Sequence, residues 1–141
     1  MKEDFDHLSN AQLLALCIYG EARGESTEGK IAVGSVVLER VRRQIWFGKT
    51  ITEVILKPYQ FSCFLENDPN YKKLVHIADQ WDEEMVENIS LNDCYTIAAG
   101  LLNGNIEQYP KATHYHTKDI KTQWDDDMAM VAQIGAHLFY V

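Results

Sequence analysis

Leu13, Leu16, Cys17 and Gly20 recur at helical spacing, and Leu14 and Ile18 widen that stripe until most sides of the segment are apolar. A helix apolar on most sides belongs in the middle of a fold, not at its surface. Ser9-Asn10-Ala11-Gln12 opens it as a capping box, in which the Ser9 hydroxyl accepts from the Gln12 backbone and Gln12 reaches back. The spacing predicts a helix of about three turns from Ala11 to about Glu21. The stretch that follows, from Tyr19 to Gly29, holds three glutamates, one arginine and three glycines in eleven residues. Gly24 breaks the helix there. Ser26 or Thr27 can cap the next one, and Glu28 in its first turn complements the helix dipole. Ile31 to Val41 is strongly apolar and could be a buried strand. Its length, the small Ala32, Gly34 and Ser35, and the charged end Glu39-Arg40 and Arg42-Arg43 favour a helix that lets another backbone come close.

A bland connector needs glycine and one cap, not a carboxylate set among small residues at the exit of a buried helix. Glu21, Glu25 and Glu28 lie at i, i+4 and i+7, and on an unbroken helix they would repel one another. With the break at Gly24, Glu21 falls to the apolar helix and the other two to the next element. A carboxylate on an apolar wall has its charged form disfavoured, so its pKa rises and it can carry a proton near neutrality. That is what the acid in glycoside cleavage requires. The bland reading, an ion pair with Arg23 or another cation, stays open on the spacing alone.

The rest of the chain reads as scaffold and groove. Residues 1–8 are expected to form a loose arm. Ile45 to Lys49 is an aromatic loop, and Thr50-Ile51-Thr52-Glu53 caps a short helix that Pro58 stops. Asp68 is the expected N-cap of a helix with Pro69 at its first position, and Tyr71, Leu74, Val75, Ala78 and Trp81 mark one face. Glu83-Glu84 is a solvated surface. Ser90 caps a further helix with Leu91, Cys94, Tyr95, Ala98, Leu101 and Leu102 inward, ended by Asn103-Gly104-Asn105. Ala112 to Thr117 has strand composition, Asp125-Asp126-Asp127 is a turn, and Met128 to Val141 reads as two short strands around Gly135. The fold class is α+β: mainly helical, about five helices, with a small C-terminal antiparallel sheet.

At 141 residues the chain is one domain, 1–141, long enough to bury a core. A formal net charge of −8 supplies no basic footprint for nucleic acid. It also opposes non-specific adsorption to anionic polymers, so an enzyme acting on one would bind through its cleft and not its global field. Cys17, Cys63 and Cys94 are odd in number and widely spaced, which argues for three buried reduced thiols and against a disulfide framework or a structural zinc. No run approaches the roughly 18 apolar residues of a membrane span, so no stable membrane association is expected. Residues 1–7 lack the apolar core of a secretory signal, so the chain is expected to be made in the cytoplasm.

Some constellations invite other chemistry. His114 and His116 would place both rings on one face of a strand, and with His137, Asp125 and Asp127 could ligate zinc. No H-E-x-x-H accompanies them and no cysteine lies close in the chain, so no metal and no cofactor are expected. Histidines lining a polar groove or capped within the sheet fit better. Trp46, Tyr59, Phe61, Phe64, Trp81, Tyr115 and Trp124 could stack on sugar rings. Tyr59, Phe61 and Tyr115, in loops beside polar residues, are the better groove residues, most aromatics being core.

The motifs Glu21-Ala22-Arg23-Gly24-Glu25, Glu28-Gly29, Ala32-Val33-x-x-Val36-Val37-Leu38-x-Arg40-Val41, Gln60-Phe61-Ser62-Cys63, Ala112-Thr113-His114-Tyr115-His116 and Ile134-Gly135-x-His137-x-Phe139-Tyr140 occur in this order. Together they resemble the spore-cortex-lytic cell wall hydrolases of the SleB type, and their phage and prophage endolysin members in particular, from about Leu13 to Val141. The resemblance implies a lysozyme-like domain, similar to lytic transglycosylases, that cleaves the β-1,4 bond between N-acetylmuramic acid and N-acetylglucosamine in peptidoglycan glycan strands. It places the catalytic glutamate on Glu21 and groove residues on Gln60, Phe61, Ser62, His114 and Tyr115, beside Tyr59 and His137. One carboxyl group would act twice and leave a 1,6-anhydro end. A hydrolytic muramidase would need a second carboxylate, for which Glu25 and Glu28 stand nearest. A wall-binding or assembly module without catalysis and a zinc amidase or peptidase are the alternatives of other classes. A monomer released to the wall by a partner such as a holin fits the endolysin likeness.

Overall fold

The computed structural model describes residues 2–120, 122 and 127–141. Among them six helices run in order: α1 (Asn10–Ala22), α2 (Thr27–Arg43), α3 (Ile51–Leu56), α4 (Tyr71–Asp79), α5 (Trp81–Glu87) and α6 (Ile89–Asn103). Three strands follow, β1 (His114–Thr117), β2 (Met130–Ile134) and β3 (His137–Tyr140). The α+β reading is what the molecule adopts.

Every residue of α1 from Leu13 to Tyr19 is buried, as a stripe without a polar side requires. The predicted capping box is present, with the Ser9 hydroxyl and the Gln12 side chain each bonded to the other's backbone. The helix packs against α6, α2 and α3. α2 is capped by Ser26 and buries two faces. Val37 joins the helical core, while Ala32, Val33 and Val36 meet Ala112 and Phe139 of the sheet side. A Cβ on Gly34 would stand 2.7 Å from Leu101 Cδ1 and 3.0 Å from Ile18 Cδ1, so the small residue lets α2 sit tightly on α1 and α6. The sheet has order β1-β3-β2, with both pairings antiparallel. Its register sets Tyr115 opposite Phe139, and a bulge lies between Met130 and Ala132.

Several expectations need correction. Residues 2–8 do not form a loose arm. Phe5 is buried in the helical core, Tyr71 donates to Asp4 at 2.6 Å, and His7 bonds the Ala78 carbonyl at 2.9 Å. One aromatic placed to fill a gap between helices outweighs the polar composition around it. Asp68 accepts from the Asn70 backbone in the turn before α4, which begins only at Tyr71. Trp81 starts a separate helix after a break at Gln80. Asn88, not Ser90, caps α6: its side chain accepts from Leu91 and also donates to Glu84. Leu102 is exposed and Ile97 buried in the inward stripe. At the charged end of α2, Glu39 and Arg40 are buried while Arg42 and Arg43 are exposed. Trp124 and most of the expected 125–127 turn lie outside the described residues.

Candidate active site

Glu21 is half-buried in the last turn of α1. The Tyr115 hydroxyl, carried by β1, donates to Glu21 Oε1 at 2.5 Å. Burial first, and the Glu21 charge second, push the Tyr115 phenol well above its ordinary value, so it stays protonated and is the donor. Its ring is fixed by Phe139 at 5.6 Å and by the edge of His137 at 5.0 Å. The short turn Ser62–Phe64 brings the Cys63 thiol beside Glu21. Burial, then the nearby Cys17 and Glu21, push that thiol far up, and burial does the same to Cys17. Both are inert neutral groups rather than nucleophiles. Gly20 makes room for this contact: a Cβ there would lie 2.6 Å from Cys63 Sγ.

Behind Glu21 stands Arg40, only 5% exposed. Its Nε donates to the Thr113 carbonyl at 2.8 Å and its Nη1 to Gln60 Oε1 at 3.2 Å. The guanidinium lies 4.8 Å from the Phe47 ring centre and 5.3 Å from that of Phe61. One side chain thus ties α2, the loop after it, Gln60 and Phe61, and the residue that leads into β1 together around the carboxylate. Burial works against its charge, and the Glu21 carboxylate works for it. Next to it, Glu39 accepts from Arg42, Arg43 and Gln108, and the Arg42 bond above all holds its carboxyl down at about 2.

The predicted site residues separate into groups. Glu21, Tyr115 and His137 come together. His137 is buried within the sheet and packs on Tyr115 instead of facing a groove. Glu25 Oε1 accepts from the Ala136 backbone at 3.1 Å and lies 3.7 Å from His137 Nδ1. Its carboxylate therefore closes the turn between β2 and β3, where Gly135 is left-handed and a Cβ would meet Glu25 Oε1. Glu28 is exposed and lines a separate cavity of about 320 Å³ with Ile31 and Tyr109. Phe61 is buried beneath Arg40 and offers no stacking face, a correction to its groove reading; Gln60 is held by Arg40. Tyr59 is 82% exposed with φ 66°, and Ser62 is exposed beside it.

His114 Nδ1 sits 2.9 Å from Thr113 Oγ1 with its ring edge-on to Phe47. Burial and then Arg40 lower it to about 4, so it is neutral at pH 7. His116 stacks on Tyr140 and bonds the Thr117 carbonyl. Among the described residues, no three histidine, cysteine or acidic side chains converge as metal ligands.

A family model described as Cell Wall Hydrolase matches residues 24–140. The chain belongs to that family. A spore cortex-lytic enzyme of Oceanobacillus iheyensis is 30% identical over 139 residues, covering 93% of this chain and 41% of the relative. The spore cortex-lytic enzyme of Bacillus subtilis is 39% identical over 81 residues, 52% of this chain and 26% of the relative. The chain thus spans about two-fifths or less of these relatives' length. Among solved structures, the catalytic domain of the germination-specific lytic transglycosylase SleB from Bacillus anthracis aligns at TM-score 0.68 and 25% identity, over 94% of this chain and 93% of that one. The Bacillus cereus SleB catalytic domain aligns at 0.68 and 26%, over 94% and 89%. The family match begins just after Glu21, so the role of Glu21 is argued from its geometry.

Sequence reasoning overlooked Arg40, Gly20 and the turn-closing part of Glu25. Arg40 stands in the cluster with Arg42 and Arg43, which reads as an ordinary charged helix end. The Gly20–Cys63 and Glu25–Ala136 contacts leave no local trace.

Proposed function

We propose that this chain cuts the β-1,4 bond between N-acetylmuramic acid and N-acetylglucosamine in peptidoglycan as a lytic transglycosylase, with Glu21 as its acid and base. One observation carries the reading: Glu21 is the carboxylate that the fold equips with a phenol donor, a thiol and a buried cation, while Glu25 is committed to the β2–β3 turn and Glu28 lines a different cavity. A hydrolase would need a second carboxylate about 5–5.5 Å away for retention or about 6.5–9.5 Å for inversion, and neither of those two is free for it. The likeness to a lytic transglycosylase domain over nearly its whole length supports the same choice.

In this mechanism protonated Glu21 gives its proton to the glycosidic oxygen as the bond to C1 breaks through an oxocarbenium-like state. Negative charge then develops on Glu21, where the Tyr115 hydroxyl and the Arg40 guanidinium stabilise it. The carboxylate next takes the proton of the muramic acid 6-hydroxyl. That oxygen closes on C1, and Glu21 is protonated again for the next turnover. Atoms balance without water.

Mass spectrometry of fragments released from purified peptidoglycan tests this. Wild type should release 1,6-anhydro-muropeptides and Glu21→Gln none. Reducing, hydrated ends would replace transglycosylation by hydrolysis, and equal release by Glu21→Gln would remove Glu21 from the chemistry.

A further inference from the structure

With 21 acidic against 13 basic side chains, the chain's long-range field repels an anionic wall. One concave site runs against that trend. A cavity of about 390 Å³ opens beside the loop between α2 and α3, lined by Ile45, Trp46 and Phe47 and by three lysines, Lys2, Lys49 and Lys57. Glu53 is the one carboxylate in its lining, and its Oε1 already accepts from the Lys49 backbone at 3.1 Å. Among the described residues no ion pair engages any of the three lysines.

The site is fixed before any ligand arrives. Trp46 is 57% exposed, yet its ring lies 4.3 Å from that of buried Phe47, which Arg40 and His114 hold on its other sides. Gln44 ends α2 in a left-handed conformation and donates to the Lys49 carbonyl at 3.0 Å, closing the loop. The Lys57 ammonium stands 5.9 Å from the Trp46 ring centre. From Lys57 the chain turns directly into Gln60, which Arg40 grips, and then into Cys63 at Glu21. An exposed indole with the Lys57 ammonium beside it, in a cavity that Lys2 and Lys49 also line, suits a sugar ring that carries carboxylates close by.

We propose that this cavity is a second wall-binding subsite, in which Trp46 stacks on a sugar and Lys2, Lys49 and Lys57 take the carboxylates of the peptide attached to that sugar, away from the bond cut at Glu21. It rests on the peptidoglycan-cutting function proposed above. It also gives a strongly acidic protein a local point of attachment to an acidic polymer.

The test is co-sedimentation of the full chain, as Glu21→Gln, with purified peptidoglycan across a range of NaCl concentrations. Trp46→Ala should weaken binding at least about fivefold. Lys49→Glu with Lys57→Glu should weaken it similarly and flatten the salt dependence, with melting temperatures reported for each variant. Enzymatic removal of the peptides should bring the parent down to the level of the lysine variant, and an N-acetylglucosamine hexamer should bind both alike. Unchanged binding by both variants would overturn the proposal. A lysine effect that survives peptide removal would overturn the peptide assignment and point to the sugars' own carboxylates. Wild type that releases no glycan fragments, while Trp46→Ala still weakens binding, would sink the catalytic reading and leave the subsite standing.

Discussion

Replacing Arg40 by Met removes the side chain that joins four segments around Glu21 while keeping most of its apolar stem. Two hydrogen bonds from a charged donor disappear, to the Thr113 carbonyl and to Gln60. Each contributes about 1.5–3 kcal/mol, and a desolvated cation over an aromatic ring about 2 kcal/mol. The methionine recovers part of that by packing between Phe47 and Phe61, whose rings flank the guanidinium. The net loss should be about 3–5 kcal/mol, in line with breaking other buried charged contacts. Out of a total of roughly 5–15 kcal/mol this is a large share, and it should lower the melting temperature by on the order of 10–15 °C. Arg40→Lys keeps the charge but cannot reach two acceptors with one fork, so it should fall between the two. Urea and thermal unfolding of the three proteins at pH 7 measure this. An Arg40→Met protein within about 1 kcal/mol of wild type would refute the argument that this guanidinium holds the site wall together.

Tyr115→Phe removes the donor to Glu21 with little change in packing, so fragment release should fall about 10–100-fold while the melting temperature stays near that of wild type; undiminished release would show that the phenol does not position the carboxylate. Gly20→Ala places a methyl 2.6 Å from Cys63 Sγ, an overlap that should cost about 1–3 kcal/mol in urea unfolding, and adding Cys63→Gly should recover most of it; a fully stable single variant would mean the 62–64 turn yields freely. Glu39 titrates at about 2 in the fold against 4.5 unperturbed, so its contribution is complete above about 4.5 and is lost as pH falls through 2. That is up to about 3 kcal/mol, and Glu39→Gln should flatten the acid limb of the urea midpoint between pH 5 and about 2; parallel limbs for the two proteins would contradict it.

What could be read from the sequence, and what could not, follows the range of the contacts. The apolar stripes of α1 and α2, the Ser9 and Ser26 caps and the strands around Gly135 are set by neighbours a few residues apart, and each is visible in the chain as written. The cap of α6 was misplaced by two residues because Asn88 and Ser90 are both good caps, and Asn88 also engages Glu84. The burial of Phe5 and Arg40 escapes the sequence for a different reason. Composition marks residues 1–8 and the end of α2 as polar, yet each contributes one side chain that a distant part of the fold buries. The site itself is assembled by such contacts. Tyr115 reaches Glu21 across 94 positions, Arg40 reaches Thr113 across 73, and Ala136 reaches Glu25 across 111. The break at Gly24 already sets Glu21 apart from Glu25 and Glu28 in the sequence, and the long-range partners show what each of the three is bound to. Glu25 closes the β2–β3 turn, Glu28 is exposed beside another cavity, and the tyrosine, thiol and arginine converge on Glu21. On the function proposed above, the choice between one catalytic carboxylate and two rests with the sheet, about a hundred residues from the helix that carries Glu21.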